Sequence, residues 1–323
     1  MSGSAPHDRR MELRMGLLPP LAADQWAGTD LRRLVDFART IEDLGFDSLW
    51  ANDSLVRARI EALTFLAAAA AVTERITLGT AALQPALRRP VQTAQVLASI
   101  DRLAHGRLIV AVGAGFPGLS EVEYAASEVP WPRRFARLDD TVALWRRLWA
   151  GGESVSFHGK VLHLDDIPGS TTPFTRTGPP VWLAADTPRA RARAGALYDG
   201  WLPYPPTPEG FSSGLAEVRA AAEGAGRPAD LTPALFVTVL VTDAADGGRA
   251  VLDEFTTQTY GFPLEVVEQI QAFAAGPPDV VAAALRRYVD AGARHLVCRI
   301  GVLGPNAFLD QLKQLRQVKE ALT

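Results

Sequence analysis

A single cysteine, Cys298, stands in a chain of 323 residues. One thiol can form neither an internal disulfide framework nor a cysteine-rich metal site. No apolar run approaches the roughly 20 residues of a membrane-spanning helix, and the short run Ala67–Ala71 sits inside a helical pattern. The first ten residues are polar and have no apolar core, so they do not read as a signal peptide. They are expected to form a disordered extension (1–10) ahead of one folded domain (11–323) in a cytoplasmic protein. A net charge of -3 gives no general basis for binding nucleic acid. Apolar content of 48% and charged content of 21% fit a globular chain with a large core.

What the chain does contain is an alternation. A strand is predicted over Leu13–Leu18, stopped by Pro19-Pro20. A helix over about Asp30–Leu44 sets Leu31, Leu34, Val35, Ala38 and Ile41 on one face and ends at Gly45, where a left-handed residue is needed. Strands over Phe46–Ala51, Ile76–Leu83 and Leu108–Val112 alternate with helices over Glu61–Val72 and Pro90–Ala104, the second opening on proline. Leu108–Val112 is apolar without a break, the mark of a strand buried on both faces. It runs into Gly113-Ala114-Gly115, where backbone can approach a ligand closely. A long loop, Ala114–Phe135, precedes a helix over Ala136–Trp149. Val155–Phe157 and Val161–Leu164 then flank His158-Gly159-Lys160 as a small hairpin.

The alternation resumes with strands over Val181–Ala184, Gly200–Leu202, Ala234–Val241 and His295–Ile300. Helices follow over Thr187-Pro188 to Leu197, Phe211–Ala222, Pro278–Ala291 and Pro305–Leu322, with two helical segments between Gly247 and Phe273. Eight strands, each followed by a helix, point to an α/β fold, a (β/α)8 TIM barrel with the hairpin inserted between the fourth helix and the fifth strand. An open doubly wound sheet is the alternative, but no G-x-G-x-x-G follows the first strand.

Barrel sites form at the carboxyl ends of the strands. Here those ends carry no histidine, and Asp53 and Asp186 are their only carboxylates. That set argues against a metal-dependent hydrolase, and no metal is expected. His158 and His163 fall on the inserted hairpin, where solvated rings are the ordinary arrangement. The rim is instead rich in small residues. Ala81-Ala82, Gly113-Ala114-Gly115 and Ala184-Ala185 would leave an apolar slot suited to a flat ring system. Ala184-Ala185-Asp186-Thr187-Pro188 leads into a helix N-terminus, which either takes a phosphate or is an ordinary capped end. Arg189, in the first turn, is the arginine best placed for a phosphate. Arg57, Arg59, Arg88 and Arg89 follow two of the strands, either attracting an anion or paired with nearby acids.

Six segments carry a resemblance when taken in order. They are Gly45-Phe-Asp-Ser-Leu-Trp50, Leu78-Gly-Thr-Ala-Ala82, Leu103-Ala-His-Gly-Arg-Leu-Ile-Val-Ala-Val-Gly-Ala-Gly115, Ser156-Phe-His-Gly-Lys160, Asp199-Gly-Trp201 and Gly292-Ala-Arg-His-Leu296. From about Met11 to its C-terminus the chain resembles the bacterial-luciferase-like flavin oxidoreductases, including their deazaflavin (coenzyme F420) branch. The resemblance implies a homodimeric barrel that binds reduced FMN or F420 at the strand ends. It implies a cis peptide at Ala81-Ala82, Gly113 to Gly115 beside the ring, and Ala184 to Thr187 at the phosphate. Three departures stand out. Asp53-Ser54 replaces the Asp-His of many relatives, and Phe116 stands where sugar-phosphate dehydrogenases of the F420 branch carry glutamate. Ala114 replaces the luciferases' arginine.

No nicotinamide-binding motif is visible, so the reading favoured by the sequence is an FMNH2-dependent monooxygenase supplied by a separate flavin reductase. In it the protein shields the oxygenated ring and orients a small organic substrate. The alternatives are an F420-dependent hydride-transfer oxidoreductase and a non-catalytic flavin-binding barrel. Asp53 and Ser54 are the candidates to orient substrate or relay a proton. Phe116, Trp131, Trp201 and Tyr204 are placed to wall the substrate pocket, with ordinary loop packing as their alternative. Substrate choice falls to the loops at 114–135 and 242–277.

Overall fold

A computed structural model of the chain describes residues 12–22, 30–55 and 58–322. The expected extension 1–10 and Arg57 lie outside the described residues. The strands are β1 (Arg14–Leu18), β2 (Ser48–Ala51), β3 (Thr77–Leu83), β4 (Leu108–Val112), β5 (Ser154–His158), β6 (His163–Pro168), β7 (Val181–Leu183), β8 (Gly200–Trp201), β9 (Thr232–Val241), β10 (Ala272–Gly276) and β11 (His295–Ile300). The helices are α1 (Arg33–Asp43), α2 (Ala62–Ala70), α3 (Pro90–Leu103), α4 (Glu121–Ala126), α5 (Arg134–Trp149), α6 (Pro188–Leu197), α7 (Pro208–Gly224), α8 (Arg249–Tyr260), α9 (Leu264–Val267), α10 (Pro278–Asp290) and α11 (Pro305–Leu322). Eight parallel strands close in the order β1-β2-β3-β4-β7-β8-β9-β11, with β11 pairing back onto β1. This is the predicted (β/α)8 barrel. The antiparallel hairpin β5-β6 stands between α5 and β7, tied down where Asp140 accepts the backbone N–H groups of Val161 and Leu162 at 2.5 and 3.0 Å.

The strand period of two divides the core. Val110 and Val112 of β4 pack outward against the helices, while Ile109 and Ala111 face the barrel interior. That interior is filled by two indoles. Trp50 of β2 and Trp182 of β7 meet at 5.4 Å between ring centroids, and both stand edge-on to His295 of β11. These strands are not neighbours, so their side chains can only meet across the barrel. Glycines on the adjacent strands β3 and β8 make the room: a Cβ at Gly79 would lie 2.3 Å from the Trp50 ring, and one at Gly200 2.4 Å from that of Trp182. Ser48 Oγ accepts from Trp50 Nε1 at 2.7 Å and lies 2.7 Å from His295 Nε2. Burial, with a smaller push from Arg14, lowers the His295 pKa to about 3, so the ring is neutral.

Several elements differ from the sequence reading. The loop 114–135 contains α4, and α5 begins inside it at Arg134. Helix α7 begins at Pro208 behind Thr207, whose hydroxyl accepts from the Gly210 N–H at 3.1 Å. Strand β10 lies where only helices and loop were expected. It pairs with the C-terminal half of β9, and its first N–H reaches the Tyr204 carbonyl at 3.1 Å, so it wedges between the diverging ends of β8 and β9. Among the described residues no helix is long and apolar enough to cross a membrane.

Candidate active site

The small residues predicted at the rim do converge. The Gly113 N–H donates to the Leu83 carbonyl and the Ala184 N–H to the Val112 carbonyl, both at 2.8 Å, which locks the ends of β3, β4 and β7 side by side. The Ala81-Ala82 peptide is cis, as the resemblance implied, and the β3–β4 register shifts between Thr80 and Leu83. Gly113 continues the inward-facing series Ile109, Ala111. A Cβ placed there would meet the Ala82 Cβ and the Ala184 carbonyl at 3.6 Å. The missing side chain of Gly113 and the short ones of Ala82 and Ala184 make this a shallow, small-residue recess of the rim, the place where the resemblance implies a flat ring. Ala114 does not share it. By the same alternation its side chain is buried outward, and its carbonyl accepts from the Tyr124 hydroxyl at 2.9 Å. Gly115 has φ +78° and packs so closely that a Cβ would lie 2.7 Å from Ser120 Cβ and 2.9 Å from Gln84 Oε1.

Beside the recess the two proposed catalytic residues are tied into polar networks. The Asp53 carboxylate, 4% exposed, accepts both Arg88 Nη1 and Nη2 (2.5 and 2.9 Å) and the Gln84 N–H (3.0 Å). Arg88 also donates to Glu61 at 2.5 Å. Burial works against the Arg88 charge, but its bonds to Asp53 and then Glu61 outweigh it and raise its pKa. Asp53 is thus held in an ion pair with Arg88. Ser54 donates to Glu123 Oε1 at 2.5 Å; the Leu55 N–H reaches the same oxygen at 2.6 Å, and Gln84 Nε2 donates to Oε2 at 2.9 Å. Burial alone would raise the Glu123 pKa, yet the Ser54, Gln84, Leu55 and Ser120 bonds hold it below the usual carboxylate range. Sequence reasoning missed Glu123. The spacing Ser120-x-x-Glu123 is a helix-start signal that would have marked α4, but not the carboxylate's partners.

At the third edge, Thr187 caps α6, its hydroxyl accepting from the Ala190 N–H at 3.2 Å. Asp186 is paired with Arg191 Nε at 2.8 Å, and Ala185 supplies a carbonyl to Trp201 Nε1 at 2.9 Å. Neither carboxylate nor indole is therefore aimed at a phosphate. Arg189 is exposed in the first turn of α6. The capped-helix reading holds for Asp186 and Thr187, and it leaves the N-terminal dipole and Arg189 as the anion-attracting features.

The four pocket aromatics part company. Trp201 is fully buried and stacks on Phe211 of α7 at 5.4 Å, so it belongs to the outer core. Trp131 packs edge-on against Tyr124 at 4.9 Å beneath the Arg134 guanidinium. Phe116 is 46% exposed on the rim. Tyr204 remains at the mouth, and burial, then the nearby Asp186 and Tyr260, raise its pKa. His158 sits on the exposed hairpin 2.7 Å from Asp165, and among the described residues no three His, Cys, Asp or Glu side chains converge to hold a metal.

Comparison with known proteins adds to this geometry. A family described as luciferase-like monooxygenase matches residues 11–295. An F420-dependent glucose-6-phosphate dehydrogenase of Kineococcus radiotolerans is 30% identical over 308 residues, covering 86% of this chain and 90% of that one. The enzyme of the same name from Intrasporangium calvum is 38% identical over 183 residues, and there the match spans about half of each chain, 53%. An F420-dependent secondary alcohol dehydrogenase, solved with an F420-acetone adduct, superposes with a TM-score of 0.81 at 20% identity, covering 97% of this chain and 100% of that one. At that identity the likeness speaks for the fold alone.

Proposed function

The chain belongs to the luciferase-like monooxygenase family of oxidoreductases, and from that premise we propose that it transfers hydride between coenzyme F420 and an alcohol or carbonyl carbon of a small organic substrate. The observation that carries F420 over FMN is the similarity to the F420-dependent dehydrogenase of Kineococcus radiotolerans across most of both chains. The FMNH2-dependent monooxygenase favoured by the sequence rests only on the family as a whole and gives way to this reading, and with it the need for a flavin reductase partner. Glucose 6-phosphate is not carried over, because Phe116 stands where the resemblance places a glutamate in the sugar-phosphate enzymes.

When bound, the deazaflavin accepts or donates a hydride and does not activate O2. Ala82, Gly113 and Ala184 would receive its ring, and the α6 N-terminus with Arg189 its phosphate. The proton that accompanies hydride transfer has no histidine to carry it on the described rim. Ser54 commits its hydrogen to the ionised Glu123. Tyr204, with its pKa raised by burial, stays protonated at neutral pH and can offer its hydroxyl as a hydrogen-bond donor to the reacting oxygen.

Titration of the purified protein with F420 and with FMN, followed by tryptophan fluorescence, tests the choice. Submicromolar F420 binding with much weaker FMN binding is expected. FMN binding without F420 binding would return the chain to the monooxygenase reading.

A further inference from the structure

Across the mouth from the recess stands a cation with no carboxylate partner among the described residues. On β11, His295 and Val297 face the barrel interior while Leu296, Cys298 and Ile300 pack outward, so the period of two sends Arg299 inward at the carboxyl end. The eight-strand ring sets β11 opposite β4, so Arg299 and Gly113 occupy facing walls. The Arg299 guanidinium lies 5.1 Å from the Phe255 ring and 5.3 Å from the Tyr260 ring, and its Nη1 donates to the Tyr260 hydroxyl at 3.1 Å. Among the described residues no Asp or Glu pairs with it. Other arginines at this end of the barrel are neutralised: Arg88 by Asp53 and Glu61, Arg191 by Asp186 and Glu217.

Arg299 also lines a cleft of about 30 Å³ between the ends of β1 and β11, whose other polar walls are Asn52, Arg59, Gln258 and Thr259, with no acidic residue among the described residues that line it. That volume holds roughly two water-sized groups, which suits the two oxygens of a carboxylate. A guanidinium oriented by aromatic faces keeps its remaining N–H groups in a fixed fork, the geometry that binds a carboxylate in two places at once.

We propose that Arg299 anchors a carboxylate of the substrate, making the substrate a small carboxylic acid that presents its alcohol or carbonyl carbon to the recess. The link to hydride transfer rests on the F420 reading; the carboxylate site itself rests on Arg299.

The test measures binding of butanoate and phenylacetate, of the matching amides butanamide and phenylacetamide, and of inorganic phosphate, by thermal shift and calorimetry at fixed ionic strength. The wild type should bind at least one carboxylate about tenfold more tightly than its amide. R299M should erase that preference, R299K should keep part of it, and F420 affinity should stay unchanged in both. Y260F, which removes only the orienting hydroxyl, should weaken the preference without abolishing it, and it serves as the folded control if R299M does not fold. Equal binding of carboxylate and amide by the wild type, an unchanged preference in R299M, or phosphate binding tighter than any carboxylate would each overturn the assignment. Failure of F420 to bind would strike the hydride-transfer reading and leave the carboxylate result to stand or fall by itself.

Discussion

Gly79 and Gly113 both lie on the barrel's inner lining, yet a methyl group means different things to them. At Gly79 it would overlap the Trp50 ring at 2.3 Å, with no free space to take up the indole. G79A should therefore lose about 3 kcal/mol or more of stability, the upper range for an overpacked core, read from the urea midpoint. At Gly113 the same methyl finds contacts of 3.6 Å. G113A should fold normally, whereas G113V should fill the recess and weaken F420 binding by about tenfold or more. His295 makes the pH case. Its folded pKa of about 3 lies below the ordinary 6.5, so the unfolded state takes up the proton first. Its stabilising contribution is complete above about pH 6.5 and is lost as pH falls towards 3, by up to about 1.4 kcal/mol per unit. Urea midpoints at about pH 7.5 and about pH 5.5, above the carboxylate range, should differ in the wild type and converge in H295Q. Asp53 shows the limit of reading residues singly. Its type and place at a strand end were visible, but its partner Arg88 lies 35 residues away and turns a candidate proton carrier into a fixed ion pair.

Helix α4 is the element on which the site's edge depends. Its buried Glu123 gathers the β2 end through Ser54 and Leu55 and the β3 end through Gln84. In E123Q an amide would meet donors where a carboxylate accepted them, at a cost of about 1–3 kcal/mol for each buried donor left unmet. The expected result is a destabilised protein with faster proteolytic cleavage between 116 and 133; unchanged cleavage would show that Glu123 does not hold this segment. The same elements show what was legible. Strands β4 and β11 were read to the residue: β4 is a continuous apolar run buried on both faces, and β11 is a short β-branched and apolar stretch set between Gly292 and Gly301. Helix α4 spans only six residues, too few for a 3.6-residue period to emerge. Strand β10 is Ala272-Phe-Ala-Ala-Gly276, composed mostly of residues that do not favour strands, and it forms because the diverging ends of β8 and β9 leave a place for it. The recess was legible for the opposite reason. Small residues at strand ends announce themselves locally, whereas the networks around Glu123 and Arg299 are made by tertiary contacts between distant segments.

The molecule also presents a face that its own chain leaves open. Between α2 and α3 runs a groove of about 730 Å³, lined in part by Leu63, Ala67, Val96, Ile100 and Leu103. Val96 is 42% and Leu103 53% exposed, on the helix whose other side is buried against the barrel. At one end the groove is bordered by Glu61 and Arg88, the ion pair that holds Asp53. A second copy of the chain is the partner expected from the resemblance, and two parallel-sided helices offering the same patch on each copy suit a two-fold, self-complementary contact. A stable dimer buries about 800 Å² per copy, so the contact must extend along both helices and reach the Arg88 end. The wild type should therefore sediment as a dimer at micromolar concentration, and V96D combined with L103D should sediment as a folded monomer. Because Arg88 would lie at the edge of that contact, the monomeric variant should also show weaker F420 binding. A wild type that remains monomeric would sink the dimer, while a monomeric variant with unaltered F420 affinity would keep the dimer and uncouple it from the site.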